Sequence, residues 1–334
     1  MLDANRVMRS FQILNSLRHP NGLFSASRFD VKTGYDKAWI RDNIYQAIGV
    51  EAIDPILAIR TYHALLDILL KHEGKIDWAI KEKPKYKHQY IHARYDPRTM
   101  NEIWEEWGNK QNDAIGLLLF KIADLMDKGF AVIRDEHDLR IIQKLVYYLA
   151  SIEYWHDKDN GIWEENEEIH ASSVGACLAG LIRISSYVYV PQYLIEKGKE
   201  SLNNLLPRES ETKEVDMALL SLIYPFDIVT EEQKETILKN IETKLLRNRG
   251  LIRYPGDKYY YKNGEAEWVF GFPWLAIIYR NMGKLTKYRY YIQKTFDAMN
   301  ERGELPELYF ADSDEHNENS PLGWAQALFI VAAG

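Results

Sequence analysis

The sequence predicts an all-α protein, a toroid of twelve antiparallel helices that alternate between an outer and an inner ring. Two observations carry this. Apolar residues recur at three- and four-residue spacing over most of the 334 residues, whereas strand-like alternation is scarce. Clusters of Trp, Arg, Asn and carboxylates stand before the even-numbered helices, and in an alternating ring the entrances to those helices all emerge at one end.

In chain order the helices are expected at 3–18, 42–51, 54–72, 112–128, 135–156, 169–187, 192–205, 214–224, 230–246, 268–282, 286–300 and 321–333. Asp54-Pro55 and Ser320-Pro321 each read as an N-cap followed by a first-turn proline, and Thr230 to Gln233 reads as a capping box before an apolar run. The small residues between Ala171 and Gly180 suit an inner helix pressed between neighbours. No Pro/Gly/Ser-rich linker, low-complexity stretch or internal repeat divides the chain, so a single domain over 1–334 is expected.

Composition excludes several function classes. With 42 basic and 49 acidic side chains the net charge is −7, and no Lys/Arg cluster is interleaved with aromatics, so nucleic acid is not an expected partner. No segment approaches the roughly 18 uncharged apolar residues of a membrane span. Cys177 stands alone and has no intramolecular disulfide partner, and the N-terminus lacks a signal-peptide pattern, which together predict a cytoplasmic location.

The clusters follow in order. Trp39-Ile40-Arg41-Asp42-Asn43 opens the second helix and Trp107 to Asp113, including Asn112, opens the fourth. Trp163-Glu164-Glu165 precedes the sixth, Val215-Asp216 starts the eighth, Arg253-Tyr254-Pro255 precedes the tenth, and Glu307-Leu308-Tyr309 precedes the twelfth. Glu164 and Glu307 are the informative pair. Cleaving an acetal between sugars needs one carboxyl group protonated to release the leaving oxygen and one ionised to activate water, while aromatic faces hold the apolar faces of the ring. An apolar wall such as Ile162-Trp163 and the neighbouring Glu165 charge would raise Glu164, and a loop open to water would keep Glu307 ionised. Glu165 is the fallback acid and Glu304 the rival of Glu307.

Other readings compete. Arg41-Asp42, read as a sugar clamp, has the rival reading of an ion pair at a helix start; Asn112-Asp113 reads equally as a cap of the fourth helix, and Asp216 as structural. His88, His92 and Asp96 lack a third ligand at zinc spacing, and Asp312 to Glu315 lacks the glycine and terminal Glu of a calcium loop, so neither a metal nor another cofactor is expected.

In this order the clusters resemble glycoside hydrolase family 15, the glucoamylase family, together with its relatives at the N-terminus of the phosphorylase kinase α and β subunits. The resemblance covers nearly the whole chain and is carried by Trp39-Ile40-Arg41-Asp42, Gln111-Asn112-Asp113, 159–164, 171–175, Arg253-Tyr254-Pro255, and Glu307-Leu308-Tyr309 followed by 321–324. It implies an (α/α)6 toroid and inverting hydrolysis of α-glucosidic bonds, with an oligosaccharide or α-glucan as partner. Glu164 then matches the general acid and Glu307 the general base. Arg41, Asp42 and Arg253 match sugar-binding positions, and Trp39, Trp107 and Trp163 match pocket walls. The β-sandwich and starch-binding modules of some members do not fit this length, while Glu265 to Trp268 is similar to the kinase-subunit branch.

Overall fold

The computed structural model describes residues 4–28, 30–105 and 107–334. The inner ring consists of α2 (Ile40–Glu51), α5 (Asn112–Asp127), α7 (Ala171–Ile184), α9 (Leu220–Ile223), α11 (Gly271–Asn281) and α13 (Gly323–Ala333). Each packs on the next, and α13 closes against α2. Around them stand α1 (Ala4–Ser16), α3 (Pro55–Lys71), α6 (Glu136–Ile152), α8 (Gln192–Leu205), α10 (Glu231–Lys244) and α12 (Leu285–Asp297). The expected alternation of outer and inner helices is therefore present, and the fold is an (α/α)6 toroid.

Local chemistry explains both sets. Outer helices carry one apolar stripe, as in α8, which buries only Leu194, Gly198 and Leu202, whereas α13 buries nine of its residues, from Gly323 to Ala332. Inner helices come together because their facing residues are small. A Cβ on Gly116 of α5 would stand 2.4 Å from the Ala176 backbone of α7, and one on Gly49 of α2 would stand 2.5 Å from Ala327 of α13. The small-residue run 171–180 thus lies where it was expected.

Several boundaries differ from expectation. The predicted start at residue 3 lies outside the described residues. A further helix, α4 (Glu73–Lys81), follows α3 after a break at His72 and packs on α6 outside the alternating pattern; its length of nine residues and weak apolar stripe gave little periodic signal. The expected 214–224 helix is a 3-10 turn, Met217–Leu219, leading into the single turn α9, because Asp216 caps at Ala218. Asp54 does accept from Leu57 N at 2.9 Å and Thr230 with Gln233 forms the capping box, but Ser320-Pro321 caps nothing: α13 begins at Gly323 after Leu322.

Two short antiparallel ladders also depart from an all-helical reading. β1 (Ala38–Trp39) pairs with β2 (Arg94–Tyr95), and β3 (Glu267–Trp268) pairs with β4 (Leu308–Tyr309). With only two residues each they show no alternation in the sequence. They tie together the loops that enter the inner helices.

Candidate active site

Trp39, at the end of β1, places Arg41 and Asp42 in the first turn of α2. The turn 160–165 precedes α7 and is closed by Glu165 N donating to the Asn160 carbonyl at 3.0 Å. Asn160 also reaches sideways, accepting from Lys110 N at 3.1 Å, so this turn and the loop before α5 are joined. Within it Glu164 takes a left-handed backbone, φ 65°, a conformation that costs a residue with a Cβ on the order of 1–3 kcal/mol and persists only where its surroundings impose it. Gly108 supplies part of that constraint, because a Cβ there would stand 2.5 Å from the Glu164 carbonyl oxygen.

These loops enclose a cavity of about 230 Å³ at one end of the toroid. Its walls are aromatic, with Trp39, Trp107, Trp163, Trp268, Phe270 and Trp324 among them, and its acids are Asp42, Glu164, Glu165 and Glu307. Nine of the eleven residues singled out from the sequence converge here. Asn112 and Asp113 do not: Asn112 donates its amide to Asp157 at 2.9 Å and its backbone N–H to Asp159, bracing the start of α5, while Asp113 stands behind Arg41.

The four carboxyl groups differ in environment. Glu164, about a fifth exposed, takes a long contact from Arg41 at 3.3 Å and is also reached by the Gln111 side chain. Burial among the rings, opposed by Arg41 and assisted by Asp42, pushes it up to about 8. Glu307 is fully buried rather than bathed in water as expected. Its Oε1 accepts from the Tyr35 hydroxyl at 2.5 Å and its Oε2 from the Asn317 and Asn319 amides, the latter at 2.8 Å. Burial raises Glu307 above its ordinary value, and these three donors with the Arg253 charge draw it back toward the ionised form.

Glu165 is not among the charges that shift Glu164 and is itself drawn toward its charged form. Burial alone would raise it, but Arg253 at 2.6 Å, Lys213 at 3.1 Å and the Tyr254 hydroxyl at 2.6 Å hold it below the usual carboxylate range. Asp42 is the neighbouring charge that matters; burial pushes it up to about 6 against the pull of Arg41. Glu304 lies away from the cavity, bonded to Arg28 and Asn300.

The two arginines are less free than the sequence suggested. Arg41 gives Nη1 to Asp113 and Nη2 to the Ile162 carbonyl at 2.8 Å, so it fastens the acid-bearing turn to α2. Arg253 forks onto Asp257, with Nε and Nη2 at 2.7 and 2.6 Å, and onto Glu165. Both still border the cavity, Arg41 held by Asp113 and the Ile162 carbonyl and Arg253 by Asp257 and Glu165. Asp216 is structural, accepting from Trp163 Nε1 at 2.8 Å and fixing that ring.

Tyr35, Asn317, Asn319, Tyr259 and Arg94 were not anticipated. They lie outside helices, in segments without periodicity, and only the fold brings them to the carboxylates. His88 is exposed and stacks on Tyr86, while His92 is buried and stacks on Trp107. Among the described residues no His, Cys, Asp or Glu group has the arrangement of a metal site. Cys177 is buried in α7, its thiol donating to the Asn112 carbonyl. No described helix is long and apolar enough to cross a membrane.

The sequence profile of Glycosyl hydrolases family 15 matches residues 4–188. The chain belongs to this family. Among curated proteins it is similar to the phosphorylase b kinase regulatory subunit alpha, skeletal muscle isoform, of Mus musculus, with 26% identity over 93% of this chain and 31% of that protein. A probable phosphorylase b kinase regulatory subunit alpha of Caenorhabditis elegans is 28% identical over 66% of this chain and 21% of that protein. The chain thus spans a third or less of these relatives' length.

The fold is shared with solved structures. A glycosidase in complex with glucose superimposes with TM-score 0.84 at 18% identity, covering 100% of this chain and 98% of that one. A glucoamylase from Saccharomycopsis fibuligera gives TM-score 0.70 at 14% identity, covering 98% and 93%. A bacterial glucoamylase complexed with acarbose gives 0.71 at 17% identity, covering 98% and 54%.

Proposed function

We propose that this single domain is an inverting, exo-acting α-glucoside hydrolase that releases β-glucose from malto-oligosaccharides or related α-glucans without a cofactor. The observation that carries the proposal is the pair Glu164 and Glu307 in one aromatic cavity with opposite hydrogen-bonding environments. Glu164, raised to about 8, holds a proton near neutral pH and gives it to the glycosidic oxygen as the bond to the anomeric carbon breaks. Glu307, surrounded by donors that favour its charged form, takes a proton from the water that attacks the opposite face of the sugar. The ring would lie against the tryptophan walls, with Asp42 accepting from its hydroxyls. At about 230 Å³ the cavity is small for a ligand pocket, which favours a chain end over the middle of a glucan. A cytoplasmic location, in keeping with the lone buried Cys177, belongs to the same reading.

A second reading has its own support: the curated relatives are named as regulatory subunits. On it the domain binds the end of a glucan and reports to a partner without cleaving. Incubation with maltotriose and a panel of α-linked disaccharides, with glucose and its anomer followed by NMR, separates the two. Release of β-glucose supports the hydrolase. Binding of acarbose without any glucose release gives the site to the regulatory reading.

A further inference from the structure

Arg94 stands directly opposite Trp39 in the β1–β2 ladder. Its guanidinium carbon lies 4.4 Å from the centroid of Trp107 and 5.2 Å from that of Trp39, and Nη2 donates to Glu105 at 2.8 Å. Trp39 and Trp107 meet edge to face at 5.9 Å. His92 stacks on Trp107 at 6.1 Å and accepts the Arg94 backbone N–H at its Nδ1, 3.0 Å away. Burial, with the Lys75 and Arg94 charges, pushes that imidazole down to about 4, so it is neutral and accepts at that nitrogen.

The loop before α5 is tied by Glu102 to Lys75 and by Asn109 to the Lys87 carbonyl. Between those ties its Trp107 ring is braced by Arg94 and His92, and the next residue, Gly108, abuts the Glu164 carbonyl. We propose that Arg94 is a positioning residue of this site: wedged against Trp39 and Trp107 and tied to Glu105, it sets the wall a sugar ring meets and, through Gly108, the seat of the Glu164 turn. The inference rests on the cavity being a glycoside site. A desolvated cation over two indole faces is a strong brace, because the ring quadrupoles attract it where water does not compete. Its charge also reaches Glu164 and draws that carboxyl down, against the larger upward push of burial.

Two variants test this. Arg94→Met keeps the apolar stem and removes the charge; Arg94→Lys keeps the charge and removes the planar fork. In ligand-free protein, hydrogen exchange across 101–105 and 107–111 is expected to quicken about tenfold in Arg94→Met, and less in Arg94→Lys. Acarbose affinity, followed by tryptophan fluorescence, should weaken about tenfold in Arg94→Met, and for maltotriose KM should rise more than kcat falls. The alkaline limb of kcat should move to higher pH in Arg94→Met but stay in Arg94→Lys. Unchanged exchange in 101–105 and 107–111 overturns the proposal, as does a lowered melting temperature with acarbose affinity intact. If the wild type binds acarbose yet releases no glucose, the hydrolase reading fails while exchange and affinity still decide the role of Arg94.

Discussion

Arg41 and Asp113 form a buried pair, Nη1 standing 2.9 Å from Oδ2 and 3.2 Å from Oδ1, with side chains 2% and 4% exposed. Asp113 therefore acts through Arg41, whose other nitrogen holds the Ile162 carbonyl and Glu164. Breaking such a pair by removing one partner costs on the order of 3–5 kcal/mol, since a charge is left buried and uncompensated. Asp113→Asn should lower the melting temperature by several degrees and lower catalytic efficiency as well, read by thermal unfolding and glucose release. A wild-type melting temperature would show that the pair contributes nothing to stability.

Asp42 sits one residue further on, with its carboxyl at the cavity. A charged hydrogen bond to a substrate hydroxyl contributes about 1.5–3 kcal/mol, so Asp42→Asn should lower kcat/KM for maltotriose at least about tenfold with little change in melting temperature. The opposite pattern, thermal loss with kinetics intact, would mark Asp42 as a helix-start residue.

On the proposed assignment, Glu164→Gln removes the proton donor and Glu307→Gln the water activator, with little change of shape. Each should lower turnover at least about a hundredfold while acarbose binding persists. Because Glu165 is held ionised by Arg253 and Lys213, it should not rescue Glu164→Gln. Hydrolysis at the wild-type rate in both variants would place the acid and base elsewhere.

If Glu164 is the acid as proposed, turnover needs it protonated and should fall as pH rises through about 8, the value to which burial brings that carboxyl. It needs Glu307 ionised, and burial raises Glu307, so the acid limb should lie above the ordinary carboxylate value of 4.5. A kcat profile flat across pH 8 would contradict the assignment of the acid.

Beneath the acid-bearing turn, His170 Nδ1 lies 3.4 Å from Glu209 Oε1, and its ring packs where a Cβ on Gly161 would have to stand. Burial alone would lower its pKa, but Glu209 and Asp159 outweigh burial and raise it to about 9 from 6.5. Its stabilising contribution is complete below pH 6.5 and is lost as pH rises through about 9. His170→Asn should therefore melt lower than wild type below pH 6.5 and lose less between 6.5 and 9. Parallel melting curves for the two proteins across that window would contradict this.

Helical period and the placement of clusters before alternate helices together pointed to the ring, because each outer helix needs one apolar stripe and each inner helix is buried all round, and small residues such as Gly116 and Gly175 allow the inner helices to touch. That placement likewise pointed to the end where the loops enclose the cavity. The sequence did not reveal α4, nor the two-residue ladders, which are too short for any period to show. It also could not assign partners. Whether Arg41 faces a sugar or Asp113, whether Glu165 or Asp42 perturbs Glu164, and whether Glu307 meets water or Tyr35 and two asparagines all depend on residues far apart in the chain. Local pattern reports which side of an element is buried, and charges and hydrogen bonds at a site are set by whichever loops the closed ring brings within a few ångströms of each other.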